Sequence, residues 1–373
     1  EKVKKELEEK REEKKNEMEQ LKPFYDDIML VKKALAGKPM TKENVMALPD
    51  TDVKLKEAKS KALFTFLMGA SPEEIEEYYE KNLKGALENG LNPEFNPRKI
   101  VGDNPKKLRE KGYGNNDVKG PDAFHGTHVA GIIAANRENN LGIKGVANNV
   151  LIMPIRAVPD GDERDKDVAN AIFYAVDNGA HIINMSFGKG YSPNKKFVDE
   201  AVKYAESKGV LLVHAAGNDA KNLEVEPNFP NRYYADGGEA KNWLEIGASS
   251  WHNSNDKFVA NFSNYGKTKV DVFAPGVDIY STVPDKNTYK NASGTSMAAP
   301  TTSGVAALLM SYYPELTAVQ VKEILMKSAI RYEQDINKPG EKGEKVKLSD
   351  LCITGGIINA YEAIKLAEQM TKK

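Results

Sequence analysis

The sequence predicts an α/β fold: a doubly wound, mostly parallel sheet with helices on both faces, accompanied by an N-terminal helical region. From residue 151 onward, apolar segments of strand length alternate with amphipathic helical segments, a pattern typical of parallel sheets that are covered on both faces. The composition also changes near residue 92, since residues 1–92 hold only four of the 29 glycines. We therefore expect a charged helical region at 1–92 and an α/β core at 93–373.

The N-terminal region carries helix signals of its own. Residues 1–20 are almost entirely Glu, Lys and Arg with sparse apolar positions, which predicts a solvated helix. Ser71 and Glu74 have the spacing of a capping box with Pro72 at the first helical position, so a helix should run from there to about Asn89 and stop at Gly90. A helical hairpin or small bundle follows, which could serve as a docking module.

The core elements follow in alternation. Apolar runs predict strands at 151–158, 181–185, 210–214, 243–248 and 270–273. Amphipathic runs predict helices at 166–178, 194–208, 297–310 and 317–328, the last of which begins with a capping box at Thr317 and Gln320. Open α/β sheets place their sites at the carboxyl ends of strands.

A serine stands at the start of one of these helices, in Gly294-Thr295-Ser296-Met297-Ala298-Ala299-Pro300. Gly294 permits a tight turn with no Cβ to obstruct a substrate. Ser296 would then lie where a helix offers unpaired N–H groups and a partial positive charge, which suits a nucleophile that generates an oxyanion. The alternative is an ordinary Ser/Thr helix cap.

Two further motifs support the catalytic interpretation. His125 begins His125-Gly126-Thr127-His128-Val129-Ala130-Gly131, and histidine is the usual base that activates a serine. Asn218 ends Ala215-Ala216-Gly217-Asn218 after the strand at 210–214, where a side-chain amide can donate to an oxyanion. A two-histidine metal site and a turn asparagine are the alternatives. The remaining histidines are expected to be core residues: His128, His181, His214 and His252.

These motifs, with Ile183 to Gly188 (INMSFG), give the chain a resemblance to bacterial subtilisin-like serine proteases (subtilases, peptidase family S8) over about residues 95–367. The resemblance implies that Ser296 is the nucleophile, His125 the general base and Asn218 the oxyanion donor. It implies a substrate-binding edge at Ser186, Phe187 and Gly188 and a pocket wall at Ala215, Ala216 and Gly217. It also places Asn228 at the floor of the main side-chain pocket, where a neutral residue would not select strongly for charge.

The third catalytic residue of that family is missing from its expected place. The resemblance implies an aspartate at the end of the first core strand, followed by Thr or Ser and then Gly, that orients the histidine. No aspartate before His125 has this setting: Asp26, Asp27, Asp50, Asp52, Asp103, Asp117 and Asp122. Asp50 has an apolar run before it, but Pro49 could not donate within a central strand. Asp103 and Asp122 lie in turn contexts.

Two interpretations of this absence stay open. We expect a fragment of an active protease whose missing N-terminal segment carries the strand and its aspartate, so that this chain alone is feeble. The alternative is a pseudoprotease that binds peptides without cutting them. If the resemblance holds, residues 1–92 form an insertion between the aspartate and histidine blocks, and the alternative is a separate domain such as a propeptide.

Composition limits the partners. The net charge of −1 gives no indication of a nucleic-acid partner, so a peptide or protein substrate is expected. The sequence has no apolar run long enough to span a membrane, and the resemblance implies a secreted or periplasmic protein. Cys352 is expected to be a small buried hydrophobe. No cofactor is expected, although the acidic loop at 160–167 admits structural calcium as a minor alternative to a set of helix-capping acids.

Overall fold

A computed structural model describes residues 2–50, 52–69, 71–96, 98–159, 161, 163–252, 254–285 and 288–372. The chain forms two compact units, Glu1–Ile100 and Val101–Lys373. Each unit has its own apolar core. Within the described residues, no helix combines the length and the apolar character that crossing a membrane requires.

The first unit is helical, as the sequence predicts. Its helices are α1 (Lys2–Ala34), α2 (Lys42–Met46), α3 (Val53–Leu67), α4 (Pro72–Glu77) and a continuation with π-type turns over Tyr78–Gly90. Ser71 and Glu74 form the expected capping box. The helix includes Gly90 and ends against Leu91, one residue later than expected. Ile28 and Val31 of α1 pack with Ala58 and Ala62 of α3, which makes the core of this unit.

The second unit is built on a six-stranded sheet. Its strands are β1 (Ile182–Met185), β2 (Leu211–Ala215), β3 (Trp243–Ser249), β4 (Val272–Pro275), β7 (Ile330–Arg331) and β10 (Gly356–Ile357). They lie in the order β1-β2-β3-β4-β10-β7, and all neighbours are parallel except β10 and β7. Two hairpins lie outside the sheet and comprise β5 (Ile279–Thr282) with β6 (Tyr289–Ala292) and β8 (Ile336–Asn337) with β9 (Lys345–Val346).

Helices cover both faces of this sheet. They are α7 (Asp165–Asp177), α8 (Lys195–Ser207), α9 (Thr295–Tyr312), α10 (Ala318–Lys327) and α11 (Ala360–Thr371). α6 (Phe124–Ala134) packs against α9 and β5, and the short α5 (Arg98–Val101) precedes it in the chain. Along β2, Leu211 and Val213 belong to the cluster formed with α9, α10 and α11, whereas Leu212 belongs to the cluster formed with α7 and α8. Both faces of β2 are therefore covered by helices, which is why the strand carries apolar residues on both of its faces, and the predicted doubly wound fold is confirmed.

The predicted strand at 151–158 is wrong. These residues take no strand conformation, and Leu151 is 100% and Val158 39% exposed. The reason is that a strand needs a hydrogen-bonded neighbour. β1 pairs with β2 on one side, and among the described residues nothing pairs with its other edge.

Two single-residue expectations also differ from the structure. His181 is exposed because it precedes β1 rather than packing in the core. Asp103 does more than form a turn: its carboxylate is fully buried and accepts a hydrogen bond from Lys166 Nζ at 2.5 Å. That contact attaches the segment before α6 to the first turn of α7. The predictions of buried His128, His214 and Cys352 are confirmed.

Candidate active site

Ser296 lies in the first turn of α9, immediately after the turn at Gly294. Its hydroxyl donates to the Ser186 carbonyl at 3.3 Å, and the Ser186 hydroxyl donates to the Ser296 carbonyl at 2.9 Å. Ser186 follows β1, so this reciprocal pair attaches the start of α9 to the carboxyl end of the sheet. The sequence singled out both serines, and the structure brings them into contact.

Asn218 follows β2 and is held against the same helix start. Its Oδ1 accepts from Thr295 N at 2.8 Å and from Thr295 Oγ1 at 2.9 Å. Because both donors fix the carbonyl end of the amide, Nδ2 is the end that remains available, and it donates to no described residue. A donor group is therefore positioned beside Ser296.

Thr295 is a site residue that the sequence reasoning missed. Its side chain is buried, donates to Asn218 and accepts from Gly217 N at 3.1 Å. A threonine at the first position of a helix resembles an ordinary capping residue, so nothing in the local pattern indicates this bridging contact. It connects the pocket wall to the proposed donor.

His125 lies in the first turn of α6, where Asp122 Oδ1 accepts from Phe124 N at 2.8 Å. The side chain keeps contact with solvent, and it hydrogen-bonds to no residue that the structure describes, Ser296 included. The protein around the imidazole disfavours its charged form and lowers the pKa of His125, and His128 adds to this effect while Asp122 opposes it. The structure therefore leaves His125 neutral near pH 7.

The position of α6 is fixed by close contact with the β5 strand. A Cβ on Gly131 would clash with Thr282 Oγ1 and stand 2.5 Å from Ser281 Oγ. The same two hydroxyls donate to the helix carbonyls of Thr127 and His128, at 2.9 and 2.7 Å. Only glycine allows this approach, which explains one of the glycines in the histidine motif.

A cleft of about 250 Å³ opens beside Ser296. Its lining includes most of the residues predicted for the substrate edge, the wall and the floor, namely Phe187, Gly188, Ala215, Gly217 and Asn228, together with Asn218 and Ser296. Of the other predicted residues, Ser186, Ala216 and His125 do not belong to this lining. Charged residues also line it, namely Lys189, Asp219, Lys221 and Glu226. Motifs that are separate in the chain thus form one concave surface.

Two asparagines of the cleft lining hydrogen-bond to the backbone of the predicted pocket wall. Asn228 Nδ2 donates to the Ala216 carbonyl at 3.1 Å and approaches the Ala215 carbonyl at 3.4 Å. Asn264, which is buried, donates from Nδ2 to Ala216 O at 2.8 Å and accepts at Oδ1 from Asp219 N at 3.0 Å. No signal in the sequence indicated Asn264, since it lies in a polar turn far from the motifs.

The predicted substrate edge is anchored through Lys189. Its backbone pairs with Phe229, with N–O distances of 3.0 and 2.9 Å. Its ammonium group lies 2.7 Å from an oxygen of Asp165, whose other oxygen accepts from Asn194 N at 2.6 Å. The edge is therefore held to the starts of α7 and α8.

The possible calcium loop can be described only in part. Asp160 and Asp162 lie outside the described residues, and the carboxylate of Asp165 is engaged by the contacts above. In the parts of the chain that are described, no group of three or more His, Cys, Asp or Glu side chains is arranged to hold a metal ion. Calcium at this loop therefore stays a prediction.

A row of buried charged and polar side chains crosses the sheet from β2 towards β4. Glu245 on β3 contacts His214 Nδ1 at 2.8 Å and accepts from Trp243 Nε1 at 2.9 Å. Asp271, just before β4, forms two hydrogen bonds of 2.8 Å with Arg232. Burial lowers the pKa of Arg232, but the Asp271 carboxylate more than compensates, so that the pKa stays above its ordinary value. The sequence predicted only His214 among these.

None of the aspartates considered as partners for the histidine has the expected setting. Asp50 lies between two helices of the first unit and pairs with Lys59. Asp103 is buried with Lys166, and Asp122 accepts a hydrogen bond from Phe124 N just before α6. Among the described residues, no carboxylate accepts a hydrogen bond from His125.

Comparison with known proteins gives a consistent picture. A profile described as the subtilase family matches residues 45–351. Subtilisin DY from Bacillus licheniformis is 35% identical over 268 residues, which make up 70% of this chain and 89% of that protein. A thermophilic serine proteinase from Bacillus sp. (strain AK1) is 44% identical over 188 residues, which make up 50% of this chain and 42% of that protein.

The fold is also found among solved structures. A structure described as proteases from Pseudoalteromonas arctica PAMC 21717 matches with a TM-score of 0.52 at 27% identity, covering 71% of this chain and 75% of that one. The chain thus spans most of subtilisin DY but less than half the length of the thermophilic proteinase.

Proposed function

Since the chain belongs to the subtilase family of serine peptidases, we propose that it hydrolyses internal peptide bonds of peptides or proteins by acyl transfer. Ser296 is the nucleophile, His125 the general base and Asn218 the oxyanion donor. The observation that carries the proposal is the arrangement at the start of α9. The serine hydroxyl, an available amide donor and the substrate edge converge there on one cleft.

The steps use these groups in turn. Ser296 Oγ attacks the peptide carbonyl while His125 takes the hydroxyl proton. Negative charge then develops on the carbonyl oxygen, where the Ser296 N–H and Asn218 Nδ2 can donate to it. His125 returns the proton to the leaving amine, and a water molecule releases the acyl group by the same route.

The position of Asn218 suits this task because its amide is fixed before substrate arrives. Thr295 holds Oδ1 with two hydrogen bonds of 2.8 and 2.9 Å, so Nδ2 does not have to reorganise as charge develops. The neutral state of His125 suits it as well, since only the neutral imidazole can accept a proton.

Substrate would bind along the edge formed by Ser186, Phe187 and Gly188. Backbone groups of an extended peptide can pair with such an edge, while the side chain before the scissile bond enters the pocket bounded by Ala215, Ala216 and Gly217. The family resemblance is our reason for placing this activity in a secreted or periplasmic protein.

The orienting carboxylate for His125 would come from a strand that the described residues do not contain. We propose that an N-terminal segment of the same protein supplies it by pairing with the unpaired edge of β1 and covering residues 151–158. The apolar side chains there are exposed in this structure, Leu151 at 100% and Ile152 at 43%. Burying a fully exposed side chain such as that of Leu151 would stabilise the chain by roughly 1.5–3 kcal/mol, and burying the exposed part of Ile152 would contribute less.

A second function, peptide binding without cleavage, is favoured by one observation. His125 has no carboxylate partner among the residues described, so its tautomer is not fixed by one. In that case Ser296 would not be activated, and the cleft would act as a peptide-binding groove.

The experiment that separates these functions is labelling of the purified chain with a fluorophosphonate probe, with Ser296→Ala as the control. The probe is offered with and without a synthetic peptide that carries an apolar strand ending in Asp-Ser-Gly, and hydrolysis of a chromogenic peptide amide is followed in parallel. For subtilisin, loss of the aspartate costs roughly 10⁴-fold in turnover, so we expect slow labelling that the strand peptide accelerates.

Either of two results would refute the protease proposal. One is an absence of Ser296-dependent labelling with the strand peptide bound. The other is labelling without any hydrolysis, which would favour the binding function.

A further inference from the structure

We propose that Lys189 is a positioning residue for the substrate: its buried ion pair with Asp165 holds the predicted substrate edge in the alignment that an extended peptide needs. The inference rests on the proposed function, because it concerns how the same cleft binds the backbone of its substrate. It identifies the substrates that suffer most when the pair is removed, namely extended peptides. Its basis is the way in which the edge is attached to the rest of the core.

The substrate edge lies in a segment that has little regular structure of its own. Residues 186–194 connect the end of β1 to the start of α8, and they form neither helix nor an extended strand. Near one end of this segment, the Ser186 hydroxyl donates to the Ser296 carbonyl at 2.9 Å. A segment without helix or sheet hydrogen bonds takes its position from its anchors to neighbouring elements.

Lys189 is the second anchor of the edge. Its backbone pairs with Phe229 through two hydrogen bonds of 3.0 and 2.9 Å, in an isolated bridge. Its side chain is only 7% exposed, and its Nζ donates to the Glu163 carbonyl at 2.6 Å and lies 2.7 Å from Asp165 Oδ1. Because Lys189 directly follows Gly188, the position of Lys189 determines where the edge ends.

Asp165 connects this anchor to two helices. It is the first residue of α7, its side chain is 3% exposed, and its second oxygen accepts from Asn194 N at 2.6 Å. Asn194 is the N-cap residue of α8. The ammonium group of Lys189 is thus attached to the starts of both helices that pack together on one face of the sheet.

A buried ion pair adds little stability but restricts geometry strongly. Taking an ammonium and a carboxylate out of water costs about as much as their attraction returns, so apolar side chains of similar size could stabilise the fold as well. The two charges are compensated only while Nζ stays within hydrogen-bond distance of Asp165 and Glu163. A displacement of the edge would break these contacts and leave both charges buried without partners. The pair therefore favours a single position of the edge.

The consequence concerns the backbone of the substrate rather than its side chains. An extended peptide can form hydrogen bonds with the backbone of Ser186, Phe187 and Gly188, and these bonds need the edge at a fixed distance from the peptide. A substrate with a single blocked residue extends along little of the edge. Loss of the ion pair should therefore weaken the binding of long substrates and affect short ones little.

The test compares the nitrophenyl esters of acetyl-alanine and acetyl-tetraalanine, with the strand peptide present. kcat and KM are measured for the unsubstituted chain, Lys189→Met and Asp165→Asn. Lys166→Met is the matched control, because the Lys166 side chain is similarly buried, at 6% exposure, but its ammonium contacts Asp103, Asn104 and Glu110 rather than the edge. A ratio of two substrates on one enzyme does not depend on the fraction of the chain that is folded.

We expect Lys189→Met to lower the ratio of kcat/KM for the long ester over the short ester by about 2–10-fold for each edge hydrogen bond that is lost. The loss should appear as a higher KM for the long ester with little change in kcat, because the edge binds the ground state and the transition state alike. Asp165→Asn, which leaves one acceptor oxygen in place of two, should lower the ratio in the same direction. Lys166→Met should lower the stability of the chain but leave the ratio unchanged.

An unchanged ratio in both Lys189→Met and Asp165→Asn would overturn the inference, and so would an equal fall in Lys166→Met. If only Lys189→Met fails to fold, Asp165→Asn decides the question. Loss of folding in both variants would also overturn the inference, since the pair would then serve folding rather than the edge.

In each of these cases the unsubstituted chain still cuts both esters, so the protease proposal stands. A chain that cuts neither ester with the strand peptide present, and shows no Ser296-dependent labelling, refutes the proposed function instead.

Discussion

Thr295→Val removes one hydroxyl from the candidate site while preserving the shape of the side chain. In the unsubstituted chain that hydroxyl donates to Asn218 Oδ1 at 2.9 Å and accepts from Gly217 N at 3.1 Å. The variant keeps the second anchor of Asn218, the backbone Thr295 N at 2.8 Å. Asn218 should thus lose one of its two fixing hydrogen bonds but not its position in the chain.

The expected effect follows from that single bond. A neutral hydrogen bond contributes about 0.5–1.5 kcal/mol net, which corresponds to a loss of about 2–10-fold in the population of correctly aimed Asn218. Under the proposed role, Asn218 donates to the charged transition state, so the loss should appear in kcat with little change in KM. Asn218→Leu, which removes the donor itself, should cost about 10²–10³-fold.

The measurement is steady-state hydrolysis of a chromogenic peptide amide, with the strand peptide present for all variants. Thr301→Val is the matched control, since it makes the same substitution in α9 where the hydroxyl bonds mainly to the helix carbonyl of Met297 at 3.0 Å. An unchanged kcat in Thr295→Val, or an equal loss in Thr301→Val, would refute the assignment of Asn218 as a donor fixed by Thr295.

Three further predictions concern the base, the buried ion pair and the close helix contact. The lowered pKa of His125 should place the acid limb of the pH profile of kcat/KM below about pH 6.5, because the proposed base works only when deprotonated. Adding the strand peptide with its aspartate should raise the pKa of His125 and move this limb to higher pH. A shift of the limb to lower pH would contradict the proposed pairing of that aspartate with His125. Arg232→Leu should lower the free energy of unfolding in urea by about 3–5 kcal/mol, since it leaves the buried Asp271 carboxylate with only the more distant Lys322 as a cationic partner. A loss under about 1 kcal/mol would refute the stabilising role of the Arg232–Asp271 pair. Gly131→Ala should cost about 1–3 kcal/mol and lower kcat by displacing α6. Gly126→Ala, whose Cβ meets nothing within 4 Å, should stabilise α6 slightly, because alanine is favoured over glycine in a helix; equal losses of stability in both variants would refute the steric argument.

Local signals predicted much of the fold because their causes are local. The capping boxes at Ser71 and Thr317 depend on residues three positions apart, and both are present in the structure. The strand at 151–158 failed for the opposite reason, since a strand is defined by a neighbour and its own sequence cannot show whether one is present. His181 is exposed for a related reason: an apolar run predicts a strand, but it does not predict which residue is the first to be buried.

The candidate site shows a similar division. The motifs around Ser296, Asn218 and Gly188 predicted residues that the structure gathers at one cleft. The supporting residues Thr295 and Asn264 could not be predicted, since their partners lie 77 or 48 residues away and no short pattern records such contacts.

The buried charged residues of the sheet have a consequence for how the strands align. His214 on β2 stands directly opposite Glu245 on β3, and Glu245 N donates to the Asp271 carboxylate at 2.7 Å. A shift of one residue in the register of β2 and β3 would keep most apolar contacts, because both faces of the sheet are apolar. The same shift would leave a buried carboxylate without a compensating partner. A sheet with the wrong strand register is therefore destabilised. The correct register fixes the position of the end of β2, and with it Asn218, relative to α9.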